Sequence, residues 1–396
     1  MGEPRPRVPF PVVVLVLIAL TAGIAGIRAY ASSQRPVEPA GRGAGAAAAS
    51  PTVPRPNATV PTPSATGETG PNVYAATGIG KFSPAVAGVP ARVYVPNGYL
   101  GTVEEIDPIT FKIIRTLHVG QYPEHVTPSW DLKWLYVDVA ASSSLAVIDP
   151  RTGDLVRTIT GIDHPYNLYF TPDGTKAIVV AEYHNRLDFR NPRTWQLIKS
   201  VAIPGGPDHL DFTADGRSLL ISGEFEGNVF MVDTAAMKVV GTIHVGGLPV
   251  DVKLSPDGAV FYVANQGLGG VSVVDPVRRR QIAFIRTGNG AHGMAISRDT
   301  KLLYVTNRLA GTISLISFDT RRVVATWKVG GSPDMVQVSP DGRRLWVSNR
   351  YSGTVFVIDT GSGKVLHVIQ VGTDPHGLAF FPQPGRFSLG HNGVYR

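Results

Sequence analysis

Histidine and carboxylate side chains recur at two adjacent positions of a repeat that spans 42 residues. Imidazole and carboxylate groups are the ligands that zinc, copper, iron and manganese take in proteins. If the fold brings these positions to one rim, they can form a metal site with open coordination positions. The residues predicted as ligands of a divalent or transition metal ion are His125, Asp208, His209, Asp251, His292 and His376.

A structural interpretation of the same residues stays open. Side chains at the start of an inner strand can hydrogen-bond neighbouring units and close the centre of a ring. A wide mouth would also hold opposite histidines too far apart to share an ion. Further histidines fall in or near a different column, that of an outer strand, where no special role is expected: His118, His244 and His367.

A second set of polar residues is predicted to bind a ligand on the same face. Loops that follow the second strand of a unit contribute two glutamates and two arginines, and the remaining residues precede the first strand. Arginine suits acidic groups on a ligand, although loop arginines are often simply solvated. The predicted ligand-binding residues are Glu124, Tyr166, Asn167, Glu182, Glu224, Arg308, Asp334 and Arg350.

The repeat itself defines the elements that position these side chains. Aspartates fall 42 residues apart, most of them in Asp-Gly pairs with texts such as TPDG and SPDG: Asp131, Asp173, Asp215, Asp257, Asp299 and Asp341. Asp-Gly between two apolar runs predicts a tight β-hairpin. A residue that recurs in nearly every unit serves the turn, where Asp accepts backbone N–H bonds. These aspartates are therefore not candidates for catalysis.

Short runs rich in Val, Ile, Tyr and Phe lie between the turns, at four runs per 42 residues, as in one blade of a propeller. The sequence therefore predicts an all-β fold, a seven-bladed β-propeller of four-stranded antiparallel blades. Six complete units occupy about 121–372. Residues 377–381 supply the first strand of a composite seventh blade, and 92–120 supply its other three. Residues 383–396 have no predicted position.

The texts SPDG, YVTN and GTVxVID recur around the predicted ring and resemble those of the YVTN-repeat β-propeller family. The resemblance covers about 92–382, with Val139 and Ala181 in place of the family's Asn. The final segment, PQPGRFSLGHNGVYR, is similar to that of exported bacterial members. The resemblance implies fold and export rather than a reaction. The haem propeller of cytochrome-type nitrite reductases is also similar, and nitrous oxide reductase carries a histidine-bound metal cluster on a seven-bladed propeller.

The first ninety residues differ in composition from the repeats. Residues 8–27 are uncharged and largely apolar between flanking arginines, which predicts a signal peptide or a transmembrane anchor over 1–31. A signal peptide would be cleaved near Ala31. Residues 32–90, rich in Pro, Ala, Gly and Ser, are predicted to be a flexible linker. The propeller then occupies 91–396, and its predicted location is extracytoplasmic, either membrane-anchored or secreted.

Composition narrows the function without naming a ligand. The chain has 396 residues and no cysteine, which excludes disulfides, thiolate ligands and c-type haem attachment. The net charge of +7 is too small to indicate nucleic acid. The leading hypothesis is a monomeric scaffold that binds a protein, glycan or small molecule. A non-enzymatic role is favoured over an enzymatic one. A metal-dependent redox or lyase-type protein is the alternative, and polyanion or DNA binding is a minor one.

Overall fold

The computed structural model describes residues 72–391 and 394–396. The described residues belong to one compact unit. The predicted signal or anchor segment and most of the predicted linker lie outside the described residues. Within them, no helix has the length and apolar character needed to cross a bilayer.

Seven antiparallel sheets form the predicted seven-bladed ring. Blade 1 contains, from the centre outward, β28 (Ala379–Phe381), β1 (Arg92–Asn97), β2 (Thr102–Ile106) and β3 (Ile113–His118). Blade 2 contains β4 (Pro123–Pro128), β5 (Leu135–Val139), β6 (Ser144–Asp149) and β7 (Asp154–Thr160). Blade 3 contains β8 (Asn167–Phe170), β9 (Ala177–Ala181), β10 (Arg186–Arg190) and β11 (Leu197–Ala202).

The remaining blades repeat this order. Blade 4 contains β12 (Pro207–Phe212), β13 (Ser218–Gly223), β14 (Asn228–Asp233) and β15 (Lys238–His244). Blade 5 contains β16 (Pro249–Leu254), β17 (Phe261–Asn265), β18 (Gly270–Asp275) and β19 (Arg280–Arg286). Blade 6 contains β20 (Ala291–Ile296), β21 (Leu302–Asn307), β22 (Thr312–Ser317) and β23 (Arg322–Lys328). Blade 7 contains β24 (Pro333–Val338), β25 (Arg344–Asn349), β26 (Thr354–Asp359) and β27 (Val365–Gln370).

The core lies between neighbouring blades. Inner strands such as β12 are buried at every position, whereas the outer strand β11 is mostly exposed. Side chains from facing sheets interdigitate, as Tyr169 and Ile178 of blade 3 do with Leu210 and Ile221 of blade 4. Each blade therefore depends on both neighbours for the burial of its two faces.

The recurrent aspartates act in turns, as predicted from their repetition. At one hairpin the Thr213 hydroxyl donates to Asp215 Oδ1 over 2.7 Å, and the Arg217 backbone N–H donates to the same oxygen over 3.1 Å. The remaining hairpins of this type repeat the contact with Ser or Thr in the first position. These carboxylates are therefore occupied by local turn bonds.

The composite blade closes the ring in the predicted way. Strand β28 pairs with β1, with Arg92 opposite Phe381 and Tyr94 opposite Ala379. The chain thus joins its first and last propeller strands in one sheet, which removes the free edge that each would otherwise expose.

The last residues occupy the axial channel, a position the repeat could not indicate. Strands β29 (Ser388–Gly390) and β30 (Val394–Tyr395) form a hairpin that extends blade 3 beyond its innermost strand. Gly390 pairs with Tyr169 of β8. Phe387 stacks on Trp130, next to an Asp131 turn, so the C-terminal hairpin enters the channel from the end of the ring that carries the Asp-type hairpins.

Residues 72–90 are structured, although they fall within the segment predicted as linker. They form 3-10 turns at Ala75–Thr77 and Pro84–Val86. Val73 N–H donates to Pro256 O over 2.9 Å, and the Tyr74 hydroxyl donates to Leu254 O over 2.9 Å. The folded unit therefore includes these residues and begins before residue 91, because backbone and tyrosine bonds fix them to the ring.

We expect Phe381→Ala to destabilise the protein strongly, because this fully buried side chain belongs to the strand that closes the ring. The free energy of unfolding should fall by about 3–5 kcal/mol, measured by urea unfolding followed through tryptophan fluorescence. Val277→Ala, at a side chain that is 88% exposed, is the matched control and should change little. A loss below about 1 kcal/mol for Phe381→Ala would contradict closure through β28.

Candidate functional site

Two sets of loops share one end of the ring. The loops between second and third strands hydrogen-bond to the loops that lead into first strands, for example Glu224 N–H to Gly206 O over 2.9 Å and Arg308 N–H to Gly290 O over 2.8 Å. We call this end the ligand face, and the opposite end, with the Asp-type hairpins, the hairpin face. The predicted ligand-binding loops thus lie together.

Both predicted ligand-binding arginines are engaged by carboxylates of the protein. Arg308 Nη1 lies 2.9 Å from Asp334 Oδ1, and Arg350 Nε lies 2.7 Å from Asp374 Oδ1. Arg350 also contacts the His376 ring. Each guanidinium is already bonded to a carboxylate of the protein. Neither arginine is therefore a free binding site for the acidic groups of a ligand.

Carboxyl groups outnumber cations at the centre of the ligand face. Burial raises the pKa of Glu124 to about 7, against the opposing effect of Arg350. Burial and the nearby Asp208 raise the pKa of Glu224 to about 8, and they raise the pKa of Glu182 well above its usual range. These carboxyl groups would ionise more readily beside an added positive charge.

Exposed apolar side chains encircle this acidic centre. They occur at one position of the repeat, in the loops between second and third strands, and are between 54% and 74% exposed. We call this set the apolar crown, and its members are Tyr99, Tyr183, Phe225, Leu309 and Tyr351. The blade sheets do not need these side chains for their packing, since most of each ring or side chain faces solvent.

Three histidines meet in the channel beneath the mouth. Each of His125, His209 and His391 offers a ring nitrogen, and the three nitrogens lie within 4.8 Å of one another. All three side chains are fully buried. Among the described residues this is the one group of three or more histidines, cysteines or acids placed closely enough to hold a metal ion.

His391 is the member of this cluster that the sequence analysis missed. It lies in the C-terminal hairpin, and its backbone N–H donates to Leu168 O over 3.2 Å. Because it falls outside the 42-residue register, no column of the repeat indicates it. The one feature of the sequence that could have drawn attention to His391 is the pair of glycines on either side of it, in LGHNG.

The other predicted metal ligands have protein partners. His292 Nδ1 lies 3.1 Å from Asp334 Oδ1, and His376 Nδ1 lies 3.6 Å from Asp334 Oδ2. Asp208 lies against His209 Nδ1. Asp251 accepts the backbone N–H groups of Val252 and Met294 and contacts Lys253. Of the six predicted ligands, only His125 and His209 belong to the cluster described above.

Two predicted ligand-binding residues instead support the histidines and the inner strands. Tyr166 O accepts a hydrogen bond from His125 Nδ1 over 2.7 Å, and its hydroxyl lies 3.4 Å from His376 Nε2. The Asn167 amide donates to Asp208 O over 3.3 Å. Both side chains are buried and belong to the channel wall rather than to an open surface.

Burial determines the protonation of most channel histidines. It lowers the pKa of His125 and His391 well below the usual range, and that of His292 and His376 likewise. Burial also opposes protonation of His209, but the adjacent Asp208 carboxylate outweighs it and raises the pKa of that ring. Apart from His209, these imidazoles are therefore neutral near pH 7, the form in which imidazole binds metals.

Comparison with protein families agrees with this fold over most of the chain. The family of YNCE-like beta-propellers matches residues 67–384. The chain belongs to the YNCE-like beta-propeller family. The match begins before residue 72, in keeping with the ordered segment on the hairpin face. No curated protein matches this YNCE-like sequence significantly.

Solved structures show how widely the fold of this YNCE-like propeller is shared. Hydrazine synthase of Kuenenia stuttgartiensis is 23% identical, with a TM-score of 0.61 over 72% of this chain and 95% of that one. A functionally unknown protein from Desulfotomaculum acetoxidans is 18% identical, with a TM-score of 0.63 over 73% and 98%. The dihydro-haem d1 dehydrogenase NirN, in complex with DHE, is 17% identical, with a TM-score of 0.58 over 78% of each chain. Because enzymes share the fold, it does not decide between scaffold and catalyst.

We expect Asp334→Ala to cost about 3–5 kcal/mol of the free energy of unfolding, because it leaves the Arg308 guanidinium buried without its anion. Arg217→Ala removes a guanidinium that is 87% exposed beside Asp215 and should cost under about 0.5 kcal/mol. Urea unfolding measures both. Similar costs for the two variants would show that the Asp334 network is solvated rather than buried.

Proposed function

We propose that this propeller is an extracytoplasmic binding protein whose ligand face captures a cationic segment of a partner polypeptide. The observation that carries the proposal is the apolar crown around a centre rich in carboxyl groups. The extracytoplasmic location rests on the apolar N-terminal sequence. The hypothesis refines the predicted scaffold by naming the charge and the chemical class of its ligand.

Charge on the ligand face supports a cationic partner. In its described loops, the only basic residues besides histidine are Arg308 and Arg350, and both have carboxylate partners. In the same loops Asp163 and Asp374 pair with Arg186 and Arg350. These loops also contain Glu226, and Glu182 and Glu224, whose raised pKa values mean that they gain charge as pH rises or as a cation binds. This acidic excess contrasts with the net charge of +7 for the whole chain. A face of this sign attracts cations and repels polyanions, which disfavours the DNA-binding alternative.

The apolar crown supports a polypeptide that carries Lys or Arg. Aromatic faces attract ammonium and guanidinium groups, and the protein already shows this contact, with Arg308 Cζ 5.6 Å from the centre of the Tyr351 ring. Exposed aromatic side chains also supply most of the binding energy at many protein interfaces. A neutral glycan would use the rings but not the surrounding carboxylates.

Fluorescence anisotropy with labelled octalysine, octaglutamate and chitohexaose tests the proposed ligand class on the full chain. Octalysine should bind, with an affinity that falls as salt rises, and the other two should not. Binding of chitohexaose alone would replace the proposal with a glycan receptor. Equal binding of octaglutamate and octalysine would overturn it.

If the apolar crown binds the ligand, substitution of its side chains should weaken octalysine binding. Phe225→Ser and Tyr351→Ser each remove an exposed ring beside the acidic centre, and we expect each to weaken binding about tenfold, as at interface hot spots. Ile109→Ser and Val277→Ser, at side chains 80% and 88% exposed in turns of the hairpin face, are matched controls. Equal effects of crown and control variants would exclude the ligand face as the binding surface.

The raised pKa of Glu224 predicts that octalysine binding tightens with pH. Its pKa is about 8, because burial and Asp208 outweigh Arg308 and Arg350, so the group is mostly protonated at pH 7 and mostly ionised at pH 9. The gained charge should tighten binding up to about fivefold. Glu224→Gln, which cannot ionise, should flatten this dependence, and an unchanged pH profile would assign it to another group.

A further inference from the structure

We infer that His125, His209 and His391 form a binding site for a transition metal ion of the zinc or copper type, completed by the C-terminal hairpin. The site differs from the predicted rim site, since its third ligand comes from outside the repeat. It is independent of the proposed capture of a cationic segment at the mouth.

The three histidine rings lie close enough together to reach one ion. Their centroids are 3.8 Å apart for His125 and His391, 5.4 Å for His125 and His209, and 5.3 Å for His209 and His391. Zinc bonds of about 2.0–2.1 Å hold tetrahedral ligand nitrogens roughly 3.3 Å apart. The ring nitrogens lie within 4.8 Å of one another. Side-chain rotations that draw these nitrogens together and move the His125 and His391 rings apart would place all three around one ion.

The cluster holds ring nitrogens that the described protein does not satisfy. His125 Nδ1 donates to Tyr166 O, which leaves the unprotonated Nε2 buried without a partner. Neither ring nitrogen of His391 makes a hydrogen bond within the described residues, and His209 Nε2 makes none either, whereas His209 Nδ1 pairs with the Asp208 carboxylate. Buried polar atoms without partners are costly, and a metal ion would satisfy one nitrogen of each ring.

Two glycines allow chain segments to pack closely at and beside this cluster. A Cβ atom added to Gly377 would collide with the His125 ring and come within 2.8 Å of His391 Cε1. Gly390 has a φ of 135°, and a Cβ there would lie 2.6 Å from Leu168 O. Gly377, just before β28, thus leaves room for the His125 ring, and Gly390 lets the C-terminal hairpin pack against β8.

The surroundings resemble the supporting shell of a histidine metal site. The Tyr166 carbonyl fixes the tautomer of His125, and the Asp208 carboxylate lies against His209; such contacts orient metal-binding imidazoles and raise their basicity. Three histidine ligands leave a fourth coordination position for water or another small ligand. His292 and His376 do not join the cluster, because Asp334 and Arg350 engage them.

Metal uptake by the full chain, purified in detergent without a histidine tag, tests the site. After removal of metal by a chelator, elemental analysis should find one zinc or copper ion retained per chain following incubation with each salt and desalting. Cobalt substitution should give the visible absorption of a four-coordinate site. His391→Ala should weaken zinc affinity at least about 100-fold, whereas His292→Ala should leave it unchanged.

Thermal unfolding is a second measurement, and it distinguishes loss of the metal site from failure of the variant to fold. Without metal, His391→Ala and wild type should melt within a few degrees of each other. Excess zinc should raise the Tm of wild type by about 4–8 °C and leave that of His391→Ala unchanged. Zinc-free wild-type protein, or equal zinc affinity in wild type and His391→Ala, would overturn the inference. Equal losses in His391→Ala and His292→Ala would also overturn it.

Discussion

Seven sheets packed face to face around one axis leave a channel, and the side chains of the inner strands together with the C-terminal hairpin fill it. In this propeller the filling is mostly polar: the first strands direct histidine, aspartate, glutamate and asparagine inward rather than leucine or valine. Buried polar groups require partners, so the channel becomes a network in which Asp334 engages Arg308 and two histidines. The shape of the ring therefore determines where the chemically active side chains can meet.

The channel divides into two layers of different character. Near the ligand face, guanidinium and carboxyl groups compensate one another while acid remains in excess. Deeper, imidazole rings meet beside Gly377, where an added Cβ atom would strike the His125 ring. Arg350 links the layers, since it bonds to Asp374 at the mouth and contacts His376 below. A change of charge in one layer is thus felt in the other, through contacts of a few ångströms in a poorly screened interior.

Periodicity explains both the success and the limits of prediction from the sequence. The spacing of Asp215 and its equivalents predicts hairpins, and the partial units at each end predict the pairing of Arg92 with Phe381 in a composite blade, as observed. His391 and Tyr74 obey no period. Their positions follow from contacts between distant segments, such as Gly390 with Tyr169 and Tyr74 with Leu254, which local pattern cannot supply. The carboxylate partners of Arg308 and Arg350 could not be predicted for the same reason. The position of a loop in the repeat does not show which carboxylate lies beside an arginine.

Strand β1 pairs with β28, and almost the whole propeller sequence separates the two strands. During synthesis, six blades emerge from the ribosome before β28 can pair with β1 and before the hairpin can enter the channel. A nascent chain at that stage is an open arc with two unpaired strand edges, a form prone to pairing with other chains. Ring closure is thus a late step that joins distant segments, and a chain exported in unfolded form would complete it only after crossing the membrane.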